Sequence, residues 1–477
     1  MPTSKALLTG LFMLAAMGAP AAADDSTVPD PWLEKTIGHH VDPEKYSGTL
    51  SKDQLQSLTT IGEALFTARF TTIDGVGRPM ATQAIIPTKR KRPPQQSFQR
   101  LAGTDSNACS SCHNDPIIGG AGDFVTNVFV SEGFTNADFD STDPQFSNER
   151  NTNHLMGAGL IELLAREMSA DLQDQRRAAL EAARTSGKPQ VAQLNSKGVD
   201  FGKIIAGPDG IVDLSAIDGV DTDLVIRPFS QKGVIGSLRQ FTVNALNHHH
   251  GMQAEERFGA RWTGENDFDA DGIEGEMTRG DISALVAWQA TLKPPIELAP
   301  GNAQWRQLAA EGSELLDETG CTQCHRRHLP LNSLSFADPG PLDSAGTLRQ
   351  GDVSQTATYD LALMAWSATL PRDDNGAVLV PLFGDLKRHT IADQQIAHLG
   401  NELLGQRFVD RDVFMTGELW GIASTAPFGH RGDLSTLDEV IRVHGGDARQ
   451  SRDRYMELDD AQRVALIAYL KTLVIEP

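Results

Sequence analysis

Two short cysteine motifs constrain this chain more than any other feature of its sequence. Residues 109–113 read CSSCH and residues 321–325 read CTQCH, so both have the spacing C-x-x-C-H. Two thiols about one turn apart can bond to the two vinyl groups of one porphyrin, and the imidazole that follows can bind its iron. The sequence therefore predicts two covalently bound haem c groups. The predicted attachment residues and proximal ligands are Cys109, Cys112, His113, Cys321, Cys324 and His325.

Other uses of the four cysteines fit the spacing less well. A four-cysteine zinc site usually places its two pairs about 15–20 residues apart, whereas the pairs here begin at Cys109 and Cys321. A thioredoxin-like redox site needs a cysteine pair beside a βαβ pattern, which neither pair has. Disulfide bonds would not require a histidine after each pair. Haem attachment remains the interpretation that uses every motif residue.

Composition and the first residues indicate where the protein works. The chain of 477 residues has 63 acidic and 42 basic side chains, a formal net charge of −21. This charge argues against a nucleic-acid partner, because phosphate binding needs clustered Lys and Arg. Residues 1–23 carry Lys5, an apolar run and three alanines before Asp24, which is typical of a secretory signal peptide. No later apolar run is long enough for a transmembrane segment. We therefore expect an exported protein, periplasmic in a Gram-negative host.

Helical periodicity dominates the rest of the chain. The clearest helical stretches are residues 51–66, 155–184 and 459–473. A further helix that starts near Trp305 leads directly into the second motif. The predicted fold class is mainly α, with long loops and little β. We expect two cytochrome c-like haem domains, residues 24–293 and 301–477, joined by a proline-rich linker.

Segments outside the motifs resemble the di-haem cytochrome c peroxidase and MauG superfamily. The resemblance is closest to its branch of long di-haem oxidoreductases, some of which are called thiol oxidoreductases. The segments that carry it are residues 151–162, 236–241, 385–389 and 419–446. The resemblance implies one haem with an open or openable iron, where an oxidant reacts, and one six-coordinate haem that relays electrons.

The resemblance also implies a distal ligand for the second haem. In the peroxidases, the segment that matches residues 426–440 is followed by a haem ligand, and the matching residue here is His444. His444 would then bind the iron opposite His325, with His430 as its rival. Otherwise His444 is a loop histidine near the C-terminus of the preceding helix, where a cation is favourable.

The resemblance does not settle which residue lies on the distal side of the first haem. Glu162 lies in the segment that bears the distal acid in the peroxidases, so it is the candidate to move a proton during peroxide cleavage. Otherwise Glu162 is a surface acid of an amphipathic helix. His154 or Met156 could instead bind this iron and keep it closed. The peroxidases also place a tryptophan between the haems, but none falls between residues 33 and 261. Another aromatic residue or direct tunnelling would have to carry the electrons.

An acidic segment predicts a calcium site. Residues 267–272 read DFDADG, in which carboxylates alternate before a glycine as in the first half of a Ca²⁺ loop. The second half departs from that pattern, because Thr278 stands where a Glu would be expected. The predicted ligands are Asp267, Asp269, Asp271 and Glu276. The alternative is a solvated acidic turn.

Residues 248–250 are three consecutive histidines. Neighbouring side chains point apart on a helix or a strand, so the three cannot all bind one metal ion. One of them at a haem edge would aid a proton or electron path; otherwise they are loop residues.

These features together predict an exported di-haem oxidoreductase of the cytochrome c peroxidase type. A small oxidant such as hydrogen peroxide would be reduced at one haem, with electrons from a donor protein or small donor relayed through the other. The alternative is a di-haem electron carrier without catalysis, in which both irons are low-spin and inert. Chain length favours the enzyme, because a carrier needs little more than two units of about 100 residues each.

Overall fold

The computed structural model describes residues 32–77, 108–122, 126–127, 149–344, 346–402 and 408–476. The predicted signal peptide lies outside these residues. The α-helices in the described part are α1 (Lys52–Thr67), α2 (Ala158–Ser186), α3 (Leu238–Ala245), α4 (Glu255–Phe258), α5 (Ala260–Thr263), α6 (Arg279–Thr291), α7 (Ala303–Glu318), α8 (Leu437–Arg442), α9 (Arg449–Glu457) and α10 (Asp460–Leu470). Among the described residues, none of these helices combines the length and apolar character that a membrane crossing needs.

The strands are short and pair only in small antiparallel sheets. They are β1 (Thr126–Asn127), β2 (Glu149–Arg150), β3 (Gln190–Ser196), β4 (Val199–Ala206), β5 (Val212–Asp213), β6 (Ile296–Glu297), β7 (Leu329–Leu331), β8 (Ser335–Asp338), β9 (Ala357–Asp360), β10 (Val378–Val380), β11 (Arg388–Thr390), β12 (Val413–Met415) and β13 (Leu473–Val474). The sheets are β1-β2, β3-β4-β5, β6-β13, β7-β10, β8-β9 and β11-β12. The prediction of a mainly helical chain is confirmed, whereas two separate haem domains stay a prediction.

The helix starts follow capping residues in the sequence. Ser51 accepts a hydrogen bond from the Gln54 N–H at 3.2 Å and the Gln54 side chain accepts one from the Ser51 N–H, which confirms the predicted start of α1. The predicted start of α2 at residue 155 was too early, because Gly157 has φ +77° and breaks the helix before Ala158. The predicted end of the last helix was too late, because Leu473 pairs with Glu297 of β6 instead.

Two helix pairs have a similar construction in the two halves of the chain. α1 packs against α6 and α7 packs against α10. A Cβ atom on Gly62 of α1 would overlap the Ala284 carbonyl oxygen, and one on Gly312 of α7 would overlap that of Ala465. Each pair therefore depends on a glycine at its point of closest approach. Beside the first motif, the α1 residue Phe66 lies 6.1 Å from the His113 ring, and α7 runs directly into the second motif.

The apolar cores do not follow the predicted boundary near residue 300. One cluster contains residues of α1, α2, α3 and α6 together with β7 to β10 and Trp420. A second cluster joins α7, α10 and Leu437 of α8. Much of the segment after Pro300 therefore packs against the N-terminal helices, and the division into residues 24–293 and 301–477 stays a prediction.

A buried network of charges holds α3 in place. Arg239 is 1% exposed and donates hydrogen bonds to Glu256 at 2.6 Å and to Asp338 at 2.9 Å. Tyr359 donates to the same Asp338 at 2.8 Å. Such a buried cation is tolerated only while its partners remain, because desolvating an isolated charge is costly. The network fixes α3, which continues into the three histidines described below.

Candidate functional site

The two cysteine motifs fold into the same local structure. Each forms a 3₁₀ turn, Cys109–Ser111 in the first motif and Cys321–Gln323 in the second. The His113 N–H donates to the Cys109 carbonyl at 3.1 Å, and the His325 N–H donates to the Cys321 carbonyl at 3.0 Å. None of the four cysteines, all of which are described, forms a disulfide bond. Both thiols and the adjacent imidazole are thus gathered on one turn in each motif.

Both motifs line one large cavity. Its volume is about 970 Å³, at the upper end of the range of about 300–1,000 Å³ for small-molecule sites. The motif residues that line it are Cys109, Cys112, His113, Cys321, Cys324 and His325. The fold therefore brings together two motifs that are far apart in the sequence, which the sequence alone does not require.

At the second motif, two histidines are held in defined orientations. The Nδ1 atom of His325 lies 3.3 Å from the Phe383 carbonyl oxygen, and that of His444 lies 2.6 Å from the Val440 carbonyl oxygen. Both rings line the cavity, and these contacts leave each Nε2 available. Burial, followed by the neighbouring His444, lowers the pKa of His325 to about 4. Neutral imidazoles fixed by a backbone carbonyl are the form in which histidine binds iron.

His430, the rival of His444, lies in a different polar cluster. Its ring is 4.5 Å from that of Phe414, and burial followed by Arg150 and Lys232 lowers its pKa to about 3. Lys232 is fully buried and donates to three backbone carbonyls at 2.8 Å each. Because Arg150 and His430 line the cavity while Glu402 lies behind them, this cluster suits the carboxylate of a bound group rather than an iron.

At the first motif, several histidines approach the cavity. His113, His154 and His248 to His250 all line it. Burial lowers the pKa of His113, His154 and His249 to about 4 each, and the charge of His113 contributes for the other two. His154 lies with its Nε2 3.2 Å from the Trp420 carbonyl oxygen. Met156 is 4% exposed and packs in a smaller cavity beside Trp288.

The three histidines lie on an unusual helical turn. Residues Leu246–His250 form a π-helix that continues α3 and ends at Gly251, whose φ is +69°. Turns of this kind are rare and often occur at functional sites. The Nε2 atom of His250 lies 3.9 Å from the Cys109 sulfur, so this turn packs directly against the first motif.

Glu162, predicted as the distal acid, is not among the residues that line the cavity. It is fully buried, so its alternative as a surface acid is wrong. Its carboxylate accepts from Arg166 at 2.5 Å and from the Leu238 N–H, the first residue of α3, at 2.7 Å. Burial raises the pKa of Glu162, and Arg166 opposes that rise. This geometry gives Glu162 a role in anchoring α3, while its catalytic role stays a prediction.

Two cavity residues were missed by the sequence reasoning. Trp420 is 2% exposed, and its Nε1 is buried with no hydrogen-bond partner among the described residues. Glu418 also lines the cavity, and burial, followed by the nearby Asp385, raises its pKa to about 7. Both lie in or beside the segment 419–446 that carried the family resemblance, which was the available signal. They supply an aromatic ring and an ionisable group to the cavity that both motifs share.

Three of the four predicted calcium ligands lie close together. Oxygen atoms of Asp267, Asp269 and Asp271 lie within 4.8 Å of one another. Asp269 is fully buried, and neither of its carboxylate oxygens has a hydrogen-bond partner among the described residues. Burial, followed by Asp271 and Asp267, raises the pKa of Asp269 to about 8; burial followed by Asp269 raises that of Glu276 well above its usual value. The alternative of a fully solvated turn does not fit this burial.

The comparisons with known proteins agree with the di-haem interpretation. Residues 381–473 match a family described as "Di-haem oxidoreductase, putative peroxidase". This match confirms the predicted resemblance. Because the matched family is a di-haem family, the match implies that the cofactor is haem. A curated relative, the cytochrome-c peroxidase IdrP2 of Denitromonas iodatirespirans, is 24% identical over 224 residues, which cover 44% of this chain. The alignment spans 52% of that relative, so about half of its length is matched.

Solved structures give only distant likenesses. The hydrazine synthase of Kuenenia stuttgartiensis is 12% identical, with a TM-score of 0.37 and coverage of 98% of this chain and all of that chain. A MauG-like protein associated with microbial copper homeostasis is 18% identical, with a TM-score of 0.26 and coverage of 52% and 68%. These scores are too low to establish a shared fold.

The residues of the cavity fit two haem groups. Each motif supplies two thiols and an imidazole on one turn, and further neutral histidines line the same space. The cavity also presents unpartnered buried polar atoms, among them His113 Nδ1 and Trp420 Nε1, to which no described residue bonds. Buried polar atoms are rarely left unpaired in a folded protein, so their presence indicates that a bound group belongs here.

Proposed function

We propose that this protein is an exported di-haem c-type oxidoreductase of the peroxidase kind. The observation that carries the proposal is the shared cavity, in which both C-x-x-C-H turns face the same space and neutral histidines lie beside each. Cys109 and Cys112 would hold one haem, and Cys321 and Cys324 the other. When bound, the haems supply one-electron redox chemistry and an iron that can take a small oxidant such as hydrogen peroxide.

The two sites are proposed to have different roles. His325 and His444 are oriented by backbone carbonyls, which suits a six-coordinate site that only relays electrons. The His113 ring lies against the backbone of Gly120 and Asn153, but its Nδ1 makes no hydrogen bond like those of His325 and His444 in the described part of the chain. A ligand without that support donates more weakly to iron, so the first site is the one at which an oxidant reacts.

Trp420, which lines the cavity that both motifs share, is proposed as the aromatic residue on the electron path. Its ring contacts the position of Gly157 at the start of α2, and its carbonyl contacts His154 of the first site. Two residues before it, Glu418 faces the same cavity and has a pKa raised to about 7 by burial. A carboxyl group that titrates near neutrality can accept or donate a proton as charge moves through the cavity.

A calcium ion is proposed at Asp267, Asp269, Asp271 and Glu276. The unpartnered buried carboxylate of Asp269 supports it, because a buried charge needs a counter-charge. Glu276 also accepts the Gln253 N–H at 2.7 Å, two residues beyond the Gly251 that ends the π-helix. The ion would therefore brace the loop that follows the three histidines.

The test is an EPR spectrum of the holoprotein, made with haem-maturation machinery, before and after hydrogen peroxide. We expect two thioether-bound haems per chain and a spectrum in which peroxide changes the first haem's signal. Two low-spin signals that peroxide leaves unchanged would instead identify a non-catalytic electron carrier. The relay role of the second site predicts that His444→Ala removes one low-spin signal.

A further inference from the structure

A second, smaller cavity lies beside the loop that follows the first motif. Its volume is about 310 Å³, at the lower end of the range of about 300–1,000 Å³ for small-molecule sites. Residues of α1, of α6 and of the 3₁₀ turn Ala365–Thr369 form its walls. No described residue lines both this cavity and the one that the two motifs share. The haem sites therefore do not account for it.

The buried side chains of the second cavity are flat or apolar. Trp288 is 7% exposed and Trp366 is 9% exposed, and Met156 lies beside them. The polar atoms here are paired within the protein, because Trp366 Nε1 donates to the Thr291 carbonyl at 3.0 Å and the Thr291 hydroxyl donates to the Ala287 carbonyl at 2.9 Å. Two indoles and a thioether present polarizable surfaces that suit a flat aromatic ligand.

The mouth of the second cavity carries an exposed carboxylate. Glu63 of α1 lines the cavity at an exposed position. Lys293 also lines it, but its charge is balanced by an ion pair with Glu476. The local charge at the mouth is therefore negative and disfavours an anionic ligand. A hydroxyl group of a neutral ligand can instead donate a hydrogen bond to the Glu63 carboxylate.

A row of packed rings connects the second cavity to the first motif. The ring centroids of Trp288 and Phe66 are 4.3 Å apart, and those of Phe66 and His113 are 6.1 Å apart. Both distances are typical of aromatic rings in contact. Trp288 also packs against the loop after the motif, since a Cβ atom on Gly119 would lie 3.3 Å from its Cη2. The Gly119 N–H donates to the His113 carbonyl at 3.0 Å. The cavity wall is thus joined by direct contacts to the histidine that would bind the first iron.

We propose that the second cavity binds a neutral phenol that reduces the first haem. This rests on the proposed reaction of hydrogen peroxide at that haem, and it names the chemical class of the small donor. The phenol ring would lie against Trp288 and Trp366, with its hydroxyl donating to Glu63. On oxidation the phenol O–H bond breaks, the Glu63 carboxylate takes the proton, and the electron passes by Trp288 and Phe66 to the haem. Two phenols become phenoxyl radicals for each hydrogen peroxide that is reduced to two water molecules.

The first experiment measures binding without peroxide, by calorimetric titration of the resting holoprotein with 2,6-dimethoxyphenol. Ala365→Phe places a ring in the cavity at an exposed position, and it should abolish the binding heat. The matched control is Ala362→Phe, which makes the same change at an exposed position that does not line the cavity. It should keep the wild-type Kd. Glu63→Gln should weaken binding by about threefold to tenfold, because a neutral amide accepts a weaker hydrogen bond.

The second experiment adds hydrogen peroxide and follows oxidation of the same phenol and of ferrocyanide, an anionic donor that the mouth disfavours. Ala365→Phe should lose phenol oxidation and keep ferrocyanide oxidation. The proposal is overturned if Ala365→Phe and Glu63→Gln both bind the phenol as the wild type does, or if Ala362→Phe loses binding equally. A wild type that oxidises neither donor would refute the peroxidase proposal, whereas the calorimetric comparison would still decide whether the cavity binds a phenol.

Discussion

The two motif sites have the same kind of local turn but differ in the contacts that surround it. Both have a 3₁₀ turn in which the histidine N–H donates to the carbonyl of the first cysteine. At the second site, His325 and His444 each have Nδ1 against a backbone carbonyl. At the first site, the His113 ring lies against the backbone of Gly120 and Asn153, its Nδ1 has no hydrogen bond within the described residues, and the three histidines 248–250 lie on a π-helix. The residues that would attach the cofactor are thus positioned by a local turn, whereas the orientation of the histidine rings depends on tertiary contacts.

The helices that precede His444 and the three histidines 248–250 are also anchored differently. α8 precedes His444 and begins with a capping box, in which Thr436 accepts from the Glu439 N–H at 3.1 Å and Glu439 accepts from the Thr436 N–H. α3 precedes the three histidines 248–250 and is fixed by the buried charges of Arg239 and Glu162. The exposed cap can be lost at modest cost, but the buried charges cannot.

The largest effect is expected from Arg239→Ala. The substitution would leave Glu256 and Asp338 buried without their cation, so the free energy of unfolding should fall by about 3–5 kcal/mol. The measurement is urea unfolding of the holoprotein with EPR of each haem. If the comparison is correct, the first haem's signal broadens or is lost before that of the second.

A surface ion pair gives the control for this prediction. Arg261 pairs with Asp352 at 2.6 Å, but its side chain is 57% exposed. Arg261→Ala should change the free energy of unfolding by at most about 1 kcal/mol. Equal losses for the two variants, or a perturbation of both haems by Arg239→Ala, would contradict a separate anchoring of the first site.

Calcium removal is the next test, because Glu276 of the acidic loop accepts the Gln253 N–H, two residues after the π-helical turn ends at Gly251. With calcium at about 100 times its Kd, chelation should lower stability by about 2.7 kcal/mol. Asp269→Asn should abolish that response. In calcium-free buffer, the variant should be more stable than the wild type, because it removes an unpaired buried carboxylate.

The matched control is Glu274→Gln, which makes the same charge change at an exposed position of the loop. It should leave the calcium response intact, as measured by thermal unfolding with and without chelator. A wild-type melting temperature that does not depend on calcium would refute the calcium proposal without affecting the haem sites.

The sequence predicted what depends on local chemistry. The spacing of cysteines and histidines identifies the attachment turns, and Ser51 and Asp459 mark helix starts because their side chains cap the first turn. Glu162 illustrates the limit. Its helical position was predicted, but its burial against Arg166 and α3 depends on packing between distant segments.

Residues that meet only in the folded chain could not be predicted in the same way. Trp420 reaches the cavity from the C-terminal half, and no periodicity indicates that it contacts the region of His154 and Gly157. Three consecutive histidines likewise do not predict a π-helical turn. Such a turn holds one extra residue, and whether it forms depends on what the turn packs against. The family resemblance marked the segment of Trp420 but gave it no role.

The smallest effect in this series comes from the two glycines at the helix crossings. Gly62→Ala and Gly312→Ala each force a methyl group onto a facing backbone carbonyl, which should cost about 1–3 kcal/mol. Gly301→Ala, at an open position, should cost less than either.

Because α7 runs directly into the Cys321 turn, Gly312→Ala should alter the second haem's EPR signal. α1 reaches the first motif through the Phe66 contact with His113, so Gly62→Ala should lower stability with a smaller change in the first haem's signal. The opposite ranking would mean that α1 is coupled to the first motif more closely than α7 is to the second, which would contradict the direct connection between α7 and the Cys321 turn.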